Sequence, residues 1–200
     1  MRIAAGLIVG LLFALGPAAA PVALAEEALT PEAAEADSDF DRAARLDALF
    51  EILQSTTDAS EGARAERAVW AIWQHSGVAD VDALMSLSLL AMQARDYVRA
   101  LVLLSRIVET MPEFAEAWNK RATVYFLVKD YEKSIADIAE TLALEPRHFG
   151  ALSGLGMIME RIGDDRRAIA AYHQALEVNP TLSGVRFALR LLEERSGKDI

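Results

Sequence analysis

Cysteine is absent from this chain of 200 residues. Without it there is no disulfide framework, no thiolate zinc site, no thiol nucleophile and no lipidated N-terminal cysteine. Bases are in deficit, 20 against 30 acids for a formal charge of −10, so non-specific nucleic-acid binding is not the work to expect. Proline is scarce, at six residues, and no Asn-x-Ser/Thr sequon occurs. No β-rich alternating run is found anywhere. Apolar residues are plentiful instead, 53% of the chain, enough for a core, although part of them sits in the first 25 residues.

Residues 1–25 read as an export signal. Arg2 supplies the positive n-region, residues 3–16 form an uncharged apolar run, and Ala23-Leu24-Ala25 is a small-residue cleavage site followed by Glu26 and Glu27. Pro17 and Pro21 interrupt any continuous helix. Cleavage after Ala25 is expected; the alternative is an uncleaved N-terminal membrane anchor, because residues 3–25 are long enough to cross a bilayer as a helix. Cleavage removes one charged residue, Arg2, and leaves −11 and no stable membrane span. An exported chain with neither cysteine nor sequon suits a bacterial periplasm. Residues 26–39 are acidic, alanine-rich and poor in large apolar side chains, the composition of a flexible tether.

The body of the chain repeats. Pro112, Pro146 and Pro180 are 34 residues apart, as are Asp96, Asp130 and Asp164, and Arg99, Lys133 and Arg167. Leu101, Ile135 and Ile169 keep the same spacing, with Val108, Leu142 and Leu176. Each unit holds two amphipathic helices, over 81–94 with 97–111, 115–128 with 131–144, and 149–162 with 165–178. The stripe Ala100, Leu101, Leu104, Ile107 and Val108 shows the i, i+3, i+4, i+7 spacing of one buried face. Short turns at Arg95-Asp96, Lys129-Asp130 and Gly163-Asp164 make the helices of each unit antiparallel.

These columns resemble the tetratricopeptide repeat, W-x2-L-G-x2-Y, then A-x3-F, then P. The third unit reads Leu152-x2-Leu155-Gly156-x2-Met159, Ala168-x3-Tyr172, Pro180; the second reads Trp118-x2-Arg121-Ala122-x2-Tyr125, Ser134-x3-Ile138, Pro146. The first reads Leu84-x2-Leu87-Ser88-x2-Ala91, Ala100-x3-Leu104, Pro112. Residues 81–180 resemble three such units (81–114, 115–148 and 149–182), with Arg121 departing from a normally apolar column. The resemblance implies an all-α fold, a superhelix of antiparallel helix pairs. A degenerate pair over 40–77 is expected to precede the units, because Ala65, Val69 and Ile72 stand 35 residues before Ala100, Leu104 and Ile107. Residues 182–200 supply a capping helix and tail, since the last repeat otherwise exposes its stacking face. Nine helices are expected.

Catalytic candidates dissolve on inspection. Asp96, Asp130 and Asp164 each open a second helix, where a carboxylate caps a backbone N–H. Arg99, Lys133 and Arg167, three residues on, stand at pairing distance. His75, His148 and His173 have no i, i+4 partner for a metal, the Gly150–Gly156 stretch lacks a P-loop lysine, and Trp70 and Trp73 suit a core. The expectation is therefore no enzyme, no cofactor and no metal site.

The resemblance implies a concave face lined by the first helix of each unit. Its groove columns are Asp82, Met85, Leu89, Met92 and Gln93, then Glu116, Asn119, Thr123, Phe126 and Leu127, then Gly150, Ser153, Met157, Glu160 and Arg161. Met85, Leu89, Met92, Asn119, Thr123, Phe126, Ser153 and Met157 are the candidate partner-binding residues. Methionine adapts to varied apolar ligands, and Asn119 has an amide for a peptide backbone. The competing reading is that residues 40–77 cover these side chains and make them core. A clamp for a C-terminal carboxylate is not implied, since the relevant columns hold Met85, Leu89, Gly150 and Gly154, with Lys120 the only base. The expected function is a non-catalytic scaffold or adaptor for a protein or peptide of the bacterial envelope. The alternative is an obligate structural subunit with no free groove.

Overall fold

A computed structural model of the chain describes residues 39–196. The export signal and all but the last residue of the acidic tether lie outside them. Among the described residues there are nine helices and no strand: α1 (Asp39–Ser55), α2 (Ala59–Gln74), α3 (Ala79–Gln93), α4 (Tyr97–Thr110), α5 (Ala115–Leu127), α6 (Tyr131–Leu144), α7 (Phe149–Arg161), α8 (Asp165–Val178) and α9 (Ser183–Ser196). No described helix is long and apolar enough to cross a membrane.

The turns inside the three units share one chemistry. Arg95, Lys129 and Gly163 sit at φ 58°, 65° and 81°. The next residues, Asp96, Asp130 and Asp164, each donate their N–H 2.9 Å to a carbonyl five residues back, at Ala91, Tyr125 and Met159. This left-handed stop satisfies carbonyls that the helix end would leave unpaired. The same aspartates then start the next helix, accepting from the N–H of Arg99, Lys133 and Arg167. Lys133 and Arg167 also pair with their aspartates, at 2.6 and 3.2 Å. One dipeptide thus ends one helix and caps the next.

Small side chains bring the paired helices together. Gly156 is the tightest: a Cβ there would lie 2.4 Å from the Tyr172 ring. Ser88 and Ala122 occupy the same column, opposite Ala100 and Ser134, and all four are buried. Ser134 donates its hydroxyl to the Ala122 carbonyl at 2.7 Å, which satisfies a polar group inside the seam.

Arg121, the departure from the repeat pattern, makes a bidentate pair. Its Nε and Nη2 donate to the two carboxylate oxygens of Asp137, each at 2.8 Å, and Nη1 reaches Ser105 of the preceding unit. The guanidinium also lies 4.8 Å from the Trp118 ring centre. Asp137 is buried, so the two departures from an apolar seam neutralise one another across the pair.

The α1–α2 hairpin is the main departure from the expected arrangement. Its pattern places it ahead of the first unit, yet its principal packing outside itself is with α5 and α8 rather than with α3. Leu46, Leu49, Phe50 and Leu53 of α1 and Ala65, Val69, Ile72 and Trp73 of α2 bury one another and enclose Phe149, with Val178 and Leu182 at the margin. The link at residues 75–78 turns through Gly77 at φ 79°. It is held by Asp82, which accepts from the Ser76 N–H and hydroxyl at 2.7 and 2.6 Å and pairs with His75 at 2.8 Å. At the other end α9 closes the stack, packing Leu189 and Leu192 on Met159 and Tyr172.

Candidate peptide-binding site

The inner face is built by α3, α5 and α7, and the hairpin closes part of it. Trp70 presses on Gly150, whose absent side chain makes the room; a Cβ there would lie 2.5 Å from the indole. Trp73 stacks on His148 with ring centres 4.0 Å apart and an 11° tilt. Trp70 meets Phe149 edge-on at 5.3 Å.

Beneath the two indoles lies a buried polar cluster. Glu116, His148 and Asn119 are all buried. The His148 Nδ1 accepts the Ala151 N–H, capping α7, so Nε2 is the nitrogen that carries the proton and donates to Glu116 at 3.0 Å. Asn119 Nδ2 donates to the same oxygen at 2.7 Å, and the Lys120 ammonium stands 2.8 Å from the other. Burial pushes the Glu116 carboxyl up, but the His148 hydrogen bond and the Lys120 charge outweigh it and leave the group below the usual carboxylate range. Lys120 also lies 5.0 Å over the Trp70 ring. The carboxylate, imidazole and amide are buried and bonded to one another, with only Lys120 reaching solvent, so the cluster anchors α5 to the start of α7.

Beyond the hairpin an apolar cleft of about 290 Å³ stays open between α5 and α7, with α6 as its floor. Asn119, Thr123, Phe126 and Leu127 line one wall; Gly150, Ser153, Gly154 and Met157 line the other; Ser134 and Ile138 lie below. No lining residue is charged. The opening exists because α7 carries glycine or serine where longer side chains would fill it. A Cβ on Gly154 would meet only Ile138, at 3.7 Å.

Relatives agree with this architecture. A TPR repeat-containing protein of Rhizobium etli is 32% identical over 185 residues, which is 92% of this chain and 90% of that protein. The chain belongs to the tetratricopeptide repeat family. Anaphase-promoting complex subunit 3 of Schizosaccharomyces pombe matches more locally, 27% identical over 101 residues and 15% of its length. Among solved structures, MamA shares the fold at a TM-score of 0.55 and 21% identity, over 76% of this chain and 82% of MamA. The first TPR domain of Spaghetti (RPAP3), bound to the HSP90 peptide SRMEEVD, does so at 0.56 and 19%, over 58% and 93%. No family model matches the sequence.

In this TPR chain the eight candidate residues divide into two groups. Asn119, Thr123, Phe126, Ser153 and Met157 line the cleft. Met85 is instead buried among Val81, Leu104 and Ala117, with Leu89 and Met92 packed on the same cluster. Met85 therefore helps join the first unit to the second, and Leu89 and Met92 are half-buried beside it. The covering comes from that packing, whereas the hairpin covers Gly150 and the Glu116 cluster. Asn119 reaches the cleft, but its amide already serves Glu116. The floor residues Ser134 and Ile138 lie outside the groove columns, and Gly154 is among them only as a column of the carboxylate clamp. Phe187 and Leu191 of α9 also escaped notice; they stand 34 residues after Ser153 and Met157 and are exposed. Extending the groove columns by one more period finds them. Among the described residues no cluster of histidines and acids is arranged to hold a metal.

Proposed function

We propose that this TPR chain is a non-catalytic interaction module of the bacterial cell envelope that captures an apolar peptide segment in the α5–α7 cleft. The observation that carries this reading is an open, uncharged, largely apolar cleft on the inner face of a TPR stack. Its volume lies at the low end of ligand pockets, about 300–1,000 Å³, which suits apolar anchor side chains of an extended segment rather than a whole helix. Lys120, next in the chain to the cleft residue Asn119, is engaged by Glu116 and Trp70. The favoured ligand is therefore an internal apolar stretch of a partner, without the free carboxylate of a chain end. Placement in the envelope rests on the export signal at residues 1–25. N-terminal sequencing of the protein from cell fractions tests it: a chain starting at Glu26 in the periplasm supports the reading, an intact Met1 in the membrane fraction replaces cleavage by an anchor, and an intact Met1 in the cytoplasm contradicts it.

The binding test fills the cleft. Gly154→Leu puts a side chain into open space over Ile138 and raises helix propensity, so the fold is retained. Peptides selected by display on the parent chain should lose binding to this variant. Undiminished binding would place the ligand elsewhere.

A further inference from the structure

Among the described residues, nothing covers one side of the first unit that is buried in its two successors. In the second and third units, Ala117 and Ala151 are fully buried, and so are Val124 and Ile158, because the preceding unit packs on them. The equivalent residues of the first unit are Ala83 and Leu90, and both are exposed, Leu90 at 59%. Leu87, between them, is 42% exposed. Leu103 of α4 is partly exposed where Asp137 and Ala171 are buried. These are the positions that a preceding helix pair would occupy, and the α1–α2 hairpin, which comes before them in the chain, packs on α5 and α8 instead.

From this geometry we infer that the α3 face is a homodimer interface, occupied by α3 of a second copy running antiparallel about a two-fold axis near Leu87. The charge pattern of α3 selects that occupant. Asp80, Ala83, Leu87, Leu90 and Ala94 follow one stripe at i, i+3, i+7, i+10 and i+14, the spacing of a single helix face. Residues 83–94 carry no charge, with exposed Asp80 before them and exposed Arg95 after them. Antiparallel pairing brings Asp80 of each copy to Arg95 of the other, symmetrically about the midpoint of the stripe. A parallel pairing would set like charges together. The same operation places Leu90 of one copy between the small Ala83 and Leu87 of the other, so each large side chain enters a gap. A two-fold contact of this kind is self-complementary and closed, needing no second surface.

The experiment uses the full chain, as cells process it, in analytical ultracentrifugation over a range of concentrations. A concentration-dependent dimer is expected. Leu90→Glu should weaken it by about a hundredfold or more, because each copy loses a central apolar anchor, with far-UV circular dichroism unchanged since Leu90 is surface-exposed. Asp80→Arg should weaken the dimer and Asp80→Arg with Arg95→Asp should restore it, which keeps the test decisive even if Leu90→Glu misfolds. The chain has no cysteine, so Leu87→Cys should give a disulfide-linked dimer on oxidation, and Ala136→Cys, exposed on α6, should not. A monomer at every concentration overturns the inference; a different covering of α3 would then be its occupant. A dimer indifferent to Leu90→Glu and to both charge variants overturns it equally and moves the contact elsewhere, to α9 or to exchanged hairpins.

Discussion

Replacing Arg121 by leucine should cost far more stability than its place on a repeat surface suggests. Asp137 is 4% exposed and both its carboxylate oxygens accept from Arg121 at 2.8 Å. Its hydrogen bond to Asp137 also raises the pKa of Arg121 further, against the opposing effect of burial. Arg121→Leu removes the partner and leaves a buried acid without its counter-charge, a loss of about 3–5 kcal/mol. The third unit shows the apolar solution for the same two columns, with Leu155 and Ala171 standing 34 residues after Arg121 and Asp137. The double variant Arg121→Leu with Asp137→Ala should therefore recover to within about 1 kcal/mol of the parent, since apolar replacement of a whole buried pair is often neutral. Urea unfolding followed by circular dichroism measures all four corners of the cycle. If Arg121→Leu alone stays within about 0.5 kcal/mol of the parent, the range of ordinary surface changes, or the double variant is no better than the single one, the reasoning fails.

Gly156→Ala should destabilise by about 1–3 kcal/mol, because the Tyr172 ring occupies the space a methyl needs; thermal melting reads it. Lys129→Gly should stabilise by about 0.5–1 kcal/mol, as a left-handed φ of 65° strains a residue with a side chain; the urea midpoint should rise. Trp73→Ala removes the ring stacked on His148 and should cost the hairpin about 3–5 kcal/mol, so that hydrogen exchange accelerates over residues 41–74 while α6 to α8 stay protected. Glu116 has a folded-state pKa below its unfolded value, so its contribution is full above the unfolded pKa and is lost as pH falls through the folded one. Melting temperature should decline over that acid range, and Glu116→Gln should flatten the decline.

Local chemistry made the repeats legible. The Asp96, Asp130 and Asp164 caps, the helix limits around them and the small columns at Gly156 and Ala168 each depend on residues close in the chain or one period away. The hairpin was not legible in the same way. Ala65, Val69 and Ile72 do pack on α1 as the repeat pattern requires, but periodicity says only that a pair forms. Where it docks depends on Trp70 meeting Gly150 and Trp73 meeting His148, contacts between residues that no spacing rule connects. Met85 misled for a related reason: a groove column assumes that its outer side is free, and in the first unit the Phe114–Ala117 neighbourhood takes that space. Arg121 stands out as a departure from the repeat pattern, and its reason is not visible in the pattern because its partner stands 16 residues away on a different helix.

Where a ligand sits is reported directly by the methionines, five of them beyond the expected cleavage site. Methyl-labelled methionine spectra of the intact chain, titrated with a display-selected apolar peptide, separate Met157 in the cleft wall from Met85 in the core. The Met157 methyl should shift and saturate with binding while Met85 and Met92 stay in place. Shifts at Met85 and Met92 with Met157 unmoved would contradict it.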